Sequence, residues 1–155
     1  MRARAVSPVI GVVLVTALAV ITAAAVATAV PTALDDPTPV VAFDIDADAS
    51  GEIRIEHRGG DALEGDSIRV RVEVDGEPLD RQPPVPFFSA PGFESGPTGV
   101  FNSATSGVWR AGETASFTVA ETNDPTLSTG STVRVRLYSD DGSVAVLTTT
   151  VGGES

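Results

Sequence analysis

Val9-Ile10-Gly11-Val12-Val13-Leu14-Val15-Thr16-Ala17-Leu18-Ala19-Val20-Ile21-Thr22-Ala23-Ala24-Ala25-Val26-Ala27-Thr28-Ala29-Val30 is the stretch on which the fold class turns. Apart from Gly11, Thr16, Thr22 and Thr28 it is apolar, and no charged side chain occurs between Arg4 and Asp35. As a helix rising 1.5 Å per residue it reaches about 33 Å, enough for a hydrocarbon core of about 30 Å. A helix on a soluble core would show a polar stripe at a 3.6-residue period, and none is present. The sequence therefore predicts a transmembrane-type helix whose home is lipid or an equally dry environment.

The ends of the segment carry their own signals. Ser7 suits an N-cap and Pro8 the first helical position, where a missing N–H costs nothing. Pro31 closes the helix, and Pro37 and Pro39 stiffen an acidic linker, Asp35-Asp36-Pro37-Thr38-Pro39. Arg2 and Arg4 precede the span and the acids follow it, so the positive-inside rule keeps the N-terminus cytoplasmic and puts the C-terminal part outside. Ala19, Ala23 and Ala27 recur at four-residue spacing, and with Gly11 they offer small side chains that let helices approach closely.

Arg4-Ala5-Val6-Ser7-Pro8-Val9-Ile10-Gly11-Val12, running into an uninterrupted apolar helix, resembles the N-terminus of haloarchaeal type IV pilins. That resemblance covers residues 2 to about 31 and implies a short basic leader, residues 1–5, removed by a prepilin peptidase. By analogy the processing site is Arg4, Ala5 and Val6, cut between Ala5 and Val6, so that the helix over 6–31 stays on the mature chain. The resemblance also implies partners: membrane lipid, a pilus assembly ATPase with its membrane platform, and other pilin subunits. Only a likeness of layout continues further, in His57-Arg58-Gly59-Gly60-Asp61 and Trp109-Arg110-Ala111-Gly112-Glu113. One departure concerns bacterial type IV pilins, which carry a Glu five residues into the mature chain, where this chain has Ile10. Archaeal pilins generally lack that acid as well.

Two alternatives share the same N-terminal signals. Ala25-Val26-Ala27 and Ala27-Thr28-Ala29 both fit the A-x-A cleavage pattern of a secretory signal, although the apolar run exceeds the usual length of about 7–15 residues. A plain membrane anchor is the other. The first residue of the mature protein separates them: Val6 for the pilin-type helix, Met1 for an anchor, a start near Thr28 or Val30 for a cleaved signal.

Composition narrows the rest. The net charge is -11, with 21 acidic residues against 10 basic ones, all arginine. Such a balance excludes a phosphate-neutralising surface, so nucleic acid is not an expected partner. Acid-rich, lysine-free composition fits a salt-adapted organism, while a GC-rich genome gives the same arginine bias. Cysteine is absent, which removes disulfides, thiolate metal sites and cysteine nucleophiles.

After an acidic linker over 32–39 the period changes to two. Val41, Phe43 and Ile45 alternate with Ala42, Asp44 and Asp46, and Ile53 and Ile55 with Arg54 and Glu56. Ile68, Val70, Val72 and Val74 alternate with Arg69, Arg71 and Glu73, and Val133, Val135 and Leu137 with Arg134 and Arg136. Each set reads as a strand with one dry face. Further strands are expected over Thr114 to Glu121 and Ser143 to Val151. Turn signals stand at Gly59-Gly60, Asp75-Gly76 and Asp140-Asp141-Gly142. The expected fold is α+β: one long helix, then an antiparallel β-sandwich over 40–151, for which an immunoglobulin-like topology is one arrangement that fits. The Pro-, Gly- and Ser-rich segment from Pro83 to Ser106 is expected to cover the core with Phe87, Phe88, Phe93 and Phe101.

Catalytic chemistry finds little support. Asp44, Asp46 and Asp48 could offer carboxylates to Ca²⁺, yet Ala49 stands where an EF-hand has glycine and Ile55 where it has the final Glu. His57, Asp61 and the serines match a triad only by composition, and no G-x-S-x-G elbow is present. His57 is expected to serve the strand end or the Gly59-Gly60 turn, and Trp109 to anchor the core or its edge. No catalytic residue, metal or cofactor is assigned. The expected function is a structural, non-enzymatic pilin subunit at the cell surface; the alternative is a membrane-anchored β-sandwich binding module that does not polymerise.

Overall fold

The computed structural model describes the backbone of Val6–Ala29 and of residues 38–153, and the side chains of residues 8–23 and 38–153. The leader residues Arg4 and Ala5, the side chains of Val6, Ser7 and Ala27, and Pro31 with the linker as far as Pro37 lie outside the described residues. The chain divides into two units, Met1–Pro37 and Thr38–Ser155.

The first unit contains one helix, α1, Val6–Ala29. It begins two residues before Pro8, where the sequence placed its first position. Pro8 is tolerated inside the first turn because the first four N–H groups of a helix have no intrahelical acceptor. Thr16 and Thr22 sit mid-helix without disturbing it, since their Oγ1 hydroxyls donate to the carbonyls of Val12 (2.8 Å) and Leu18 (2.9 Å). The side chains described in α1 run from Pro8 to Ala23, about 24 Å at 1.5 Å per residue. Among the described residues no helix is long and apolar enough to cross a membrane.

The second unit is built of antiparallel sheets. Its strands are β1 (Val41–Ala47), β2 (Glu52–Gly60), β3 (Leu63–Glu64), β4 (Arg69–Val74), β5 (Glu77–Pro78), β6 (Val108–Trp109), β7 (Thr114–Thr118), β8 (Thr132–Ser139) and β9 (Gly142–Thr150). They form a three-stranded sheet β1-β2-β7, a two-stranded sheet β3-β6 and a four-stranded sheet β5-β4-β8-β9. The edge strands of the two larger sheets meet where the Gly152 N–H donates to the Ala47 carbonyl (2.9 Å), next to a parallel bridge between Asp48 and Gly152. That contact covers strand edges that would otherwise present unpaired backbone groups.

Alternation read from the sequence sorts the side chains as expected. Ile53 and Ile55 on β2, Val70, Val72 and Val74 on β4, and Val133, Val135 and Leu137 on β8 are all buried in one core. The Asp75-Gly76 turn joins β4 to β5 with φ of 51° and 85°, the left-handed pair that a two-residue hairpin needs and that Asp-Gly supplies. Asp140-Asp141 joins β8 to β9, with Ser139 facing Gly142. The Pro83 to Ser106 segment packs Phe87, Phe93 and Phe101 into the core, whereas Phe88 stays exposed.

Three departures from the sequence-based expectation have physical causes. Strands β3, β5 and β6 are two residues long, too short to show a period. The strand expected over Thr114 to Glu121 stops at Thr118. Gly59-Gly60 does not separate strands but ends β2, paired with Ala42 and Val41, where a bulge between Ala42 and Phe43 shifts the register. Gly60 has φ of 100°, and a Cβ there would collide with the Val40 carbonyl oxygen, so only glycine fits.

Candidate functional site: an exposed apolar helix and a clamped chain entry

On α1, Val9, Ile10, Val12, Val13, Leu14, Val15, Leu18, Val20 and Ile21 are all exposed. Gly11, Ala19 and Ala23 are exposed too, and nothing lies within 4 Å of the position a Cβ on Gly11 would take. A shallow groove along the helix is lined by Val12, Val13, Thr16, Ala17, Val20 and Ile21. The helix carries no charge and both described threonine hydroxyls are satisfied internally, so its described surface makes no demand for water. Such a surface is stable against lipid tails or against other helices of the same kind. Small residues at Gly11, Ala19 and Ala23 permit the second.

At the head of the second unit the two motifs that the sequence left far apart come together. His57, in β2, is fully buried. Its ring stands edge-on to Phe43 (centroids 5.3 Å apart) and to Trp109 (6.0 Å). Nε2 lies 2.9 Å from the Asp61 carbonyl oxygen. A carbonyl only accepts, so Nε2 is the donor in this contact, while Nδ1 is buried with no hydrogen-bond partner among the described residues. Glu113 ties the second motif to the first. Its carbonyl accepts from the His57 amide (2.9 Å) and from Trp109 Nε1 (3.0 Å), and its carboxylate accepts from the Arg110 amide (2.8 Å).

Asp61 completes the arrangement by holding the incoming chain. Its carboxylate accepts from the Val40 N–H (3.0 Å), and its own N–H donates to the Val40 carbonyl (3.0 Å). Val40 stands at the start of this unit, so the clamp fixes where the chain enters the sheets. Asp61 offers the His57 ring its backbone carbonyl, not its carboxylate, so the pair lacks the orientation of a hydrolytic triad. Replacing Asp61 by Ala is expected to cost about 0.5–1.5 kcal/mol and to abolish hydrogen-exchange protection at the Val40 amide. Unchanged Val40 exchange in that variant would show that the clamp does not hold in solution.

The carboxylates considered for Ca²⁺ are engaged elsewhere. Asp44 pairs with Arg58 (3.1 Å) and Asp46 approaches Arg54 (3.9 Å). The Glu56 hydrogen bond, then the charges of Glu56 and Asp44, raise the Arg58 guanidinium above its ordinary range. Asp48 closes the turn after β1, accepting from the Ser50 amide (2.9 Å) and hydroxyl, which lower its carboxyl below the usual range despite some desolvation. No group of three potential metal ligands occurs among the described residues.

Sequence reasoning missed two polar anchors. Asn123 is buried; its side chain accepts from the Arg81 amide (3.1 Å) and donates to the Arg81 carbonyl (2.9 Å). Gln82 bonds both the N–H (2.7 Å) and the carbonyl (3.0 Å) of Val72. Both pin the segment that follows β5, and neither is visible as a period or a motif.

Comparison of the whole chain with curated proteins finds no match. Residues 4–43 match the family described as archaeal type IV pilin, N-terminal. The matched stretch takes in α1 and the first residues of β1 and stops at Phe43, so the remaining strands lie outside it. Through residues 4–43, the N-terminal part of this chain is similar to the N-terminal part of archaeal type IV pilins.

Proposed function

We propose that this chain is a structural subunit, major or minor, of an archaeal type IV pilus-like surface filament. The observation that carries the proposal is α1: a 24-residue uncharged helix inside the pilin-matched segment, with its described apolar side chains uncovered. A prepilin peptidase removes residues 1–5 by cutting between Ala5 and Val6. The helix then sits in the membrane with the acidic domain outside, as the arginines before it and the acids after it require. What supports membrane residence is the apolar run from Val9 to Val30, about 33 Å as a helix. An assembly ATPase and its membrane platform transfer subunits from lipid into the filament, where helices pack on Gly11, Ala19, Ala23 and Ala27.

The outer unit is read as a β-sandwich coat. Support comes from the single core shared by Ile53 and Ile55 of one sheet with Val72 and Val135 of another. The role is structural, with attachment or self-association the work of the coat. Immunogold electron microscopy of cells expressing the full chain tests the proposal. Labelled filaments are expected; a diffuse envelope signal without filaments would point to a tethered binding module instead.

A further inference from the structure

The outer face of the four-stranded sheet is charged against the rest of the chain. Arg69 and Arg71 on β4 and Arg134 and Arg136 on β8 point away from the core, with Glu73 between them. In a chain of net charge -11, four guanidiniums share that face with one carboxylate, and Asp140 joins only from the turn beyond. Glu73 serves two arginines, Arg136 at 3.0 Å and Arg134 at 3.9 Å, and Arg69 reaches Asp140 at 3.5 Å. Arg71 makes no ion pair among the described residues. The register sets it directly opposite Arg136, and like charges so placed destabilise a sheet.

The centre of that face also has the composition of a contact surface. Val146, paired to Arg136 across the ladder, is 58% exposed. Tyr138, the single tyrosine of the chain, is half-buried opposite Arg69. Arginine and tyrosine around an exposed aliphatic side chain are what the cores of protein interfaces favour. On the other sheet, the outward side chains of β1 and β2 place Asp44, Asp46, Glu52 and Glu56 around Arg54 and Arg58. A hollow of about 290 Å³ there is lined by Asp44, Asp46, Arg54 and Glu56, room for an arginine side chain between carboxylates. Both faces turn away from the same core.

We infer that the arginine face of one copy docks on the acidic β1–β2 face of the next copy, in a contact that repeats along the filament. Two different patches meeting head-to-tail form a heterologous interface, the kind that propagates and does not close on itself. The inference rests on the filament proposal above. A second copy fits better than a free anionic polymer. The polymer must approach against the field of a strongly acidic molecule, whereas packed helices hold neighbouring copies at high effective concentration. The docking also gives Arg71 the counter-charge that its own sheet denies it.

The absence of cysteine allows a direct test. The full chain with Val146→Cys and Ala42→Cys, one on each face, is expressed in filament-forming cells and treated with a short thiol cross-linker. A ladder of dimers, trimers and longer species is expected, with each single-cysteine variant staying monomeric. Arg71→Glu in the same background puts a carboxylate opposite Arg136, so the domain should melt at the same or a higher temperature while the ladder falls at least fivefold. Filaments without a ladder, dimers from Val146→Cys alone, or a ladder indifferent to Arg71→Glu would each overturn the inference. So would filaments that bind dextran sulfate through Arg71 and give no ladder, since the face would then belong to a polyanion. Absence of wild-type filaments, seen by electron microscopy beforehand, would overturn the filament proposal and this inference with it.

Discussion

Trp109→Ala should remove about 3–5 kcal/mol from the stability of the outer domain, a large share of the 5–15 kcal/mol typical of a whole domain. The side chain is fully buried, and its ring lies 4.9 Å from Phe43 and 5.4 Å from Phe101, centroid to centroid. Truncation empties the place where β1, β6 and the Pro83 to Ser106 segment meet. It also removes a donor from the Glu113 carbonyl, which then keeps only the His57 amide. Trp109→Phe keeps most of the bulk and loses mainly the Nε1 hydrogen bond, so a loss of about 1–2 kcal/mol is expected. Urea titration of the detergent-solubilised full chain, followed by circular dichroism because the only tryptophan is altered, measures both. A loss below about 1 kcal/mol for Trp109→Ala would contradict the core assignment.

Val20→Asp should cost about 2.5–3.5 kcal/mol of membrane insertion, roughly a hundredfold in the inserted fraction. Val20 is exposed on a helix with no charge of its own, and no cationic side chain occurs between Arg4 and Arg54 to pair with a carboxylate at that depth. The penalty persists after assembly, since a helix bundle built from such surfaces is as dry as lipid and leaves the charge unpaired. Val20→Leu, which keeps the surface apolar, should behave as wild type. Alkaline extraction of membranes and filament yield are the two readouts. Wild-type retention and assembly of Val20→Asp would show that this part of the helix stays in water.

Much of the fold was legible because its signals are local. The apolar run predicts α1, period-two alternation predicts β1, β2, β4 and β8, and Asp75-Gly76 and Asp140-Asp141-Gly142 predict the hairpins. What escaped depends on partners distant in sequence. Two-residue strands such as β3 and β6 exist only because Leu63 and Trp109 face each other across the domain. His57 and Glu113 meet through backbone groups, and backbone groups leave no mark in a sequence. The same limit hid the Asp61 clamp. Gly59-Gly60 shows the opposite failure, a turn signal overridden by pairing with β1, where the close approach of Val40 makes glycine necessary.

Helix α1 was legible as a segment from its charge-free length. The helix begins at Val6, ahead of Ser7 and Pro8, which the sequence suggested as its start. The first turn needs no amide partners, so the helix could extend back to Val6 without a steric signal. The arginine face was visible as alternating charges in β4 and β8. Its opposition of Arg71 to Arg136 requires the strand register, which alternation alone does not determine.

The central claim is that the apolar segment stays on the working molecule and holds copies together. N-terminal sequencing of the chain recovered from sheared surface filaments tests it most directly. The account predicts a first residue of Val6, with the helix intact behind it. A mature protein beginning near Thr28 or Val30 and recovered free in the medium would contradict it.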